Sequence, residues 1–221
     1  MSDATLIIVA KAPVPGRVKT RLCPPCSPEQ AAAIARAAIV DTLAAATATP
    51  DVHPVLALDG EPGPWVPAGM DVVPQTTGSL ADRLSGAFAS VTGPAALIGM
   101  DTPQVTPLVL RRIIDTLLSP NVDAVLGRTL DGGWWTIGLR DPHVPAFDGV
   151  TMSSDTTGDQ QAGRLRTLGL RTRDAPREMD VDTFADARTV AGRIPISSFA
   201  RAVRDVATTL TSATTLASAT T

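Results

Sequence analysis

The chain has 221 residues, 44% of them hydrophobic, and a formal net charge of -3. That composition supplies a sizeable core for one domain and lacks the overall positive charge of a general nucleic-acid binder, so any basic site must be local. No stretch approaches the ~18 apolar residues of a membrane span, and the Met-Ser-Asp start has no charged segment leading into an apolar run, so a cytoplasmic protein without a membrane span is expected.

Residues 5–10 are a β-branched apolar run and predict the buried first strand of a parallel sheet. A loop with four cations follows, Lys11, Arg17, Lys19 and Arg21, together with a permissive Gly16. No Asp or Glu occurs between Asp3 and Glu29. Cations offset phosphate charge and glycine lets a backbone come close, so this loop is a candidate phosphate site; the alternative is a solvated basic loop. Neither a Walker lysine motif nor a Gly-x-Gly-x-x-Gly run is present. Cys23 and Cys26 stand as Cys-Pro-Pro-Cys before a helix start, which suits either a redox pair with a lowered thiol pKa or a rigid Pro-rich turn.

Ser27 as N-cap and Pro28 at the first helical position open an Ala-rich helix through about Ala46. Strands are expected over 52–58 and 70–74, separated by the Gly/Pro-rich segment 59–69. A helix then starts at Gly78 and Ser79 and runs to about Ser90. Its free backbone amides can hold an anion, or the start is simply capped.

Residues 95–99 read as a central strand, and the acid just past its end is Asp101. In open α/β sheets ligands collect beyond the carboxyl ends of the strands, which makes Asp101 a metal or ligand group; otherwise it caps the turn into the next helix. That helix, 106–118, places Leu108, Ile113, Ile114 and Leu117 on one buried face. A strand over 122–126 precedes Asp131-Gly132-Gly133-Trp134-Trp135, where paired aromatics form a wall for a sugar or base, or pack in the core. Residues 150–158 cap a helix over 159–168, and 170–174 form the last strand. Asp180 and Asp182 then point the same way if extended and can share a divalent cation with a carboxylate from another strand end, unless Asp182 only caps the helix near Thr183. A closing helix over 196–206 ends a single domain of residues 1–206, and the Thr/Ala/Ser-rich residues 207–221 are expected to be a disordered tail.

These elements predict an α/β protein, a three-layer α/β/α sandwich with a mostly parallel central sheet. The chain resembles the nucleotide-diphospho-sugar transferase superfamily with the A-type glycosyltransferase fold, and within it a bacterial branch of small glycosyltransferase-like proteins. The resemblance covers residues 5–190 and rests on the stretch from Ala10 to Leu22, on Gly99-Met-Asp101-Thr-Pro103, on Asp131-Gly-Gly-Trp-Trp-Thr-Ile-Gly138-Leu, and on Asp180-Val-Asp182-Thr. It implies that Lys11, Gly16, Arg17, Lys19 and Arg21 face nucleotide phosphates, with Gly78 and Ser79 completing the nucleotide site. It also implies that Asp101 with Asp182 or Asp180 holds Mg²⁺ or Mn²⁺. Asp131, with Asp101, would be catalytic, Asp131 as the base; Gly132, Gly133, Trp134 and Trp135 would line the acceptor side.

The implied activity is metal-dependent transfer from a nucleoside-diphosphate sugar to a small-molecule acceptor. The alternatives are a nucleotidyltransferase releasing pyrophosphate, similar to the 2-phospholactate and molybdopterin guanylyltransferases or of cytidylyl type, and a non-catalytic nucleotide-binding relative. A homodimer is one expected assembly. The chain departs from the family pattern at Ser79 and Ala81, where relatives carry Asp and Gly, at Trp134 and Trp135 for Tyr-Tyr, and at Met152-Ser153-Ser154-Asp155 for Trp-Ser-Thr-Asp. Those departures gather on the nucleotide-base and acceptor sides.

Overall fold

Alternate side chains of the first apolar run enter two different cores, which is what makes it the middle of a sandwich. The structure, a computed structural model, describes residues 4–219. In β1 (Ala4–Lys11), Leu6, Ile8 and Ala10 pack on one face and Ile7 on the other. A 3₁₀ turn, Thr20–Leu22, leads to α1 (Pro28–Thr47), opened by a capping box of Ser27 and Gln30 with Pro28 behind it. β2 (Val52–Asp59), β3 (Asp71–Pro74), α2 (Leu80–Ala89), β4 (Ala95–Gly99) and α3 (Pro107–Leu118) follow. The second half contains β5 (Ala124–Thr129), β6 (Trp134–Leu139), α4 (Thr157–Thr167), β7 (Thr172–Glu178), α5 (Phe184–Arg193) and α6 (Ser198–Ala219).

The strands form one sheet of seven in the order β3-β2-β1-β4-β6-β5-β7. All neighbours are parallel except β6, which is antiparallel to both β4 and β5. The chain can reverse there because residues 130–133 are a short Asp-Gly turn between two strands. In consequence β6 begins where its neighbours end, and Trp134 arrives at the carboxyl edge of the sheet beside the end of β4.

One core lies between the sheet and α1 with α3; the other lies under α2, with Leu84, Phe88, Phe147 and Leu165. A third cluster joins the outer face of α1, through Ala31, Ile34 and Ala38, to α5 and α6. The weakly amphipathic, Ala-rich sequence of α1 fits a helix buried on two sides, and its small side chains let α6 close over it. In α3 the buried face is Leu110, Ile113, Ile114 and Leu117, whereas Leu108 is 61% exposed. The spacing of Leu108 therefore misled, since it sits one turn of the wrong row away from the sheet. α6 runs on to Ala219, so it does not stop at the expected boundary near Val206; from Thr208 the hydroxyls of Thr208, Thr209 and Ser212 bond carbonyls one turn back, so these polar side chains are satisfied within the helix. Residues 220–221 of the expected tail lie outside the described residues. No described helix is long and apolar enough to cross a membrane.

Candidate functional site

Two of the acids singled out in the sequence are not helix caps. Thr106, accepting from the Val109 amide, caps α3, so Asp101 is released from that duty. Thr183, in a capping box with Asp186, caps α5, so Asp182 is released as well. Asp101 follows the end of β4, and its carbonyl accepts the Val181 amide at 2.9 Å, which docks the late acidic segment against the strand end. Gln104 adds a second tie, donating to Glu178 and to the Met179 carbonyl.

Lys19 sits in the left-handed region at φ 47°, immediately before the 3₁₀ turn. Its side chain is 9% exposed, donates to the Val181 carbonyl, and brings Nζ to 2.5 Å from Asp101 and 3.9 Å from Asp182. The Asp101 contact is an ion pair without hydrogen-bond alignment. Arg21 donates to Asp182 at 2.7 Å. The opening loop and the acids from two other parts of the chain thus share one place.

They line two adjoining hollows. A smaller cleft of about 260 Å³ is lined by Lys11, Arg17, Lys19 and Arg21 together with Asp101 and Asp182. A larger cavity of about 470 Å³, within the range of small-molecule sites, shares Arg21, Asp101 and Asp182 with it. Asp131 and Asp180 belong to the larger cavity, as do Gly133, Trp134 and Trp135.

Carboxylate oxygens of Asp131, Asp180 and Asp182 lie within 4.8 Å of one another, the one such group among the described residues able to hold a metal ion. Asp101 is outside that trio, engaged by Lys19, so the expected metal pair of Asp101 with Asp182 or Asp180 is rearranged. The reason is local: Thr129 Oγ1 at 2.5 Å and the Gly133 amide at 3.1 Å both donate to Asp131 Oδ1 and turn its carboxylate toward the late acids. Hard oxygen donors at this separation suit Mg²⁺ or Mn²⁺. Burial first, and then the Asp131 charge, push Asp180 up to about 6.

That shift carries a stability consequence. A carboxyl whose folded pKa is raised favours the native state when protonated, so its contribution is present below its ordinary value of 3.8 and is lost as pH rises through about 6. In the presence of a chelator the melting temperature is expected to fall between pH 4 and 7 more steeply for the natural chain than for Asp180→Asn, as scanning calorimetry would show. Equal slopes would contradict it.

Several expected site residues lie elsewhere. Gly16 is an exposed turn at φ +74° whose Cβ position is open, so it shapes the loop without bringing backbone close to anything. Gly78 and Ser79 do not line either hollow. Ser79 and Asp82 satisfy each other in a capping box, which occupies the Ser79 and Asp82 amides and sets a carboxylate at the helix start where an anion was expected. Just upstream, Gln75 donates to the carbonyls of Ala10 and Ala57 and so fastens the ends of β1 and β2. The two tryptophans divide their roles. Both line the larger cavity, but Trp135 is 3% exposed and donates to the Pro176 carbonyl, whereas Trp134 is half-buried and stacks on Phe147. Cys23 and Cys26 are free thiols, and burial, followed by Cys23, pushes Cys26 up to about 11, the opposite of an activated redox thiol.

Sequence reasoning missed Thr102, Thr129, Leu80 and Leu84 in the cavity wall. Only Thr129 had a signal, since a hydroxyl two residues before an Asp-Gly turn is placed to bond the aspartate.

Residues 32–154 match the family described as "Uncharacterized protein conserved in bacteria (DUF2064)". The chain belongs to this family. No protein of curated function matches this DUF2064 sequence. Among solved structures, a provisionally named nucleotide-diphospho-sugar transferase from Desulfovibrio desulfuricans G20 aligns with a TM-score of 0.84 at 22% identity, covering 96% of this chain and 98% of that one. CMP:2-keto-3-deoxy-manno-octonic acid synthetase, complexed with CTP, aligns at 0.59 and 15% identity over 88% and 99%. The 2-C-methyl-D-erythritol 4-phosphate cytidylyltransferase from Thermus thermophilus aligns at 0.55 and 15% identity over 87% and 98%. The DUF2064 chain therefore has the nucleotide-diphospho-sugar transferase fold.

Proposed function

We propose that the chain is a divalent-metal-dependent transferase that moves a glycosyl group from a nucleoside-diphosphate sugar to a small-molecule acceptor. The observation that carries this reading is the seam at Lys19, where a cation-lined cleft meets the acid-lined cavity. A nucleoside diphosphate needs cations on one flank and carboxylate-held metal on the other, and both are within reach of that side chain.

In this reading Lys11, Arg17, Lys19 and Arg21 bind the phosphates. Asp131, Asp180 and Asp182 would hold the metal, whose chemistry is to offset charge on the departing diphosphate. The bond from the sugar's anomeric carbon to the phosphate oxygen breaks with its electrons on the diphosphate, and the acceptor oxygen bonds to that carbon. Asp101 is engaged by Lys19 and three acids belong to the metal set. Asp155, the remaining carboxylate of the cavity wall, is then the group left to take the acceptor's proton.

Nucleotidyl transfer is the second reading, supported by the four-cation loop and by the fold shared with two cytidylyl-type enzymes. Calorimetric titration of nucleoside diphosphates, nucleoside triphosphates and nucleotide sugars, each with and without Mn²⁺, tests both. Metal-dependent binding is expected, and a donor at 100 times its Kd would add about 2.7 kcal/mol of stability. Release of nucleoside diphosphate identifies glycosyl transfer, release of pyrophosphate identifies nucleotidyl transfer, and absence of any metal-dependent nucleotide binding refutes both.

A further inference from the structure

The larger cavity extends past its acids into the side of the sheet covered by α2. There its wall is made of Val9, Leu80, Leu84 and Leu97, closed by Trp134 and Met152. Stacking on Phe147, with ring centroids 6.2 Å apart at 28°, holds the Trp134 ring in place. Three polar atoms of cavity-lining residues are buried with no hydrogen-bond partner among the described residues, Asp101 Oδ1, which is ion-paired with Lys19, Thr102 Oγ1 and Trp134 Nε1. Thr102 is only 2% exposed. These atoms have no accessible surface of their own, so what the cavity presents to a ligand on this side is its apolar wall.

Charge narrows the ligand further. Arg21 is the one cation lining this cavity among the described residues, and Asp182 already holds it; facing it are Asp101, Asp131, Asp155, Asp180 and Asp182. With Lys19 on Asp101, Arg21 on Asp182 and one divalent ion on the acidic trio, the wall still keeps about one negative charge. A phosphorylated second substrate would add about two more negative charges with no side chain to receive them.

We propose that the second substrate is an uncharged, amphiphilic alcohol. Its apolar body lies between Leu80, Leu84, Trp134 and Met152, and its reacting hydroxyl points to the acidic end. The proposal rests on the transferase reading for the group this alcohol receives, but not for its polarity.

Tryptophan fluorescence and calorimetry on the full chain, with Mn²⁺ present, test it with two matched pairs: 2-phenylethanol and 2-phenylethyl phosphate, geraniol and geranyl phosphate. The alcohols are expected to bind saturably and about tenfold or more tighter than their phosphates, because like charges brought together oppose binding. Met152→Lys is expected to reverse that preference. Leu80→Arg, on the first turn of α2, is the second variant should Met152→Lys fold poorly. Phosphates binding as tightly as alcohols to the natural chain, or no saturable alcohol binding, would overturn the proposal. A nucleotide titration on the same sample separates the two ideas: alcohol binding without nucleotide binding sinks the transferase reading alone, and nucleotide binding without alcohol binding sinks this one alone.

Discussion

Replacing Lys19 by methionine is expected to weaken metal-dependent nucleotide binding by about 100-fold, or ~2.7 kcal/mol, toward the lower end of the ~2–5 kcal/mol for truncating one partner of a buried charge pair, because the Lys19 side chain is 9% exposed but that of Asp101 is 42% exposed. Methionine keeps the length and the packing of the stem and removes only the ammonium. Asp101, at 2.5 Å, and Asp182, at 3.9 Å, then face each other and the incoming phosphates without the cation between them. The bond to the Val181 carbonyl goes as well, and with it one of the ties holding the late acids to the strand ends. Lys11 provides the contrast: its side chain is 40% exposed and 3.7 Å from Asp59, so Lys11→Met should cost less than about tenfold, as exposed pairs do. Calorimetry with a nucleoside diphosphate and Mn²⁺ measures both. A Lys19→Met dissociation constant within about threefold of the natural one would contradict the assignment of the seam.

Gly132→Ala is expected to be the most damaging single-methyl change in the site. The residue is at φ +96°, and a Cβ there would stand 1.9 Å from the Asp155 carbonyl oxygen, which no rotamer can relieve. The opposing loop is equally closed, since the Gly158 amide donates to the Gly132 carbonyl at 2.8 Å and a Gly158 Cβ would meet the Gly133 carbonyl at 2.6 Å. Accommodating the methyl means separating the loop that carries Asp131 from the loop that carries Asp155. A loss of about 3 kcal/mol is expected, seen as a melting temperature lower by about 6–12 °C, with metal binding lost in the surviving fold. Gly192→Ala serves as the control: it lies within α5 with open space at its Cβ, and should gain about 0.5–1 kcal/mol. If the two variants melt alike, the two loops are not held as described.

The parts of this fold that could be read from sequence are those governed by local rules. Apolar runs marked β1 and β4, and Ser27 with Pro28 marked the start of α1 to the residue, because capping and strand burial depend on near neighbours. The opposition of basic loop and acids was legible for the same reason, as runs of like charge. Which acids meet was not. Asp101 and Asp131 both follow strands, and only the hydrogen bonds of Thr129 and Gly133 turn one of them into the trio while Lys19 claims the other. Ser79 misled in a like manner, since a polar residue beside a ligand site and one that only caps a helix look identical along the chain. The reversed β6 had a signal, the Asp-Gly turn, but its strand neighbours are set by packing far away in sequence.

The reversal of β6 has an evolutionary consequence. Because that strand starts at the same rim where the others finish, residues 152–154 border the larger cavity without lining the cleft formed by Lys11, Arg17, Lys19 and Arg21. On the proposed reading, new partners for the transferred group would be acquired by changing residues 152–154 while Asp131, Asp155 and the loop of residues 11–21 are kept.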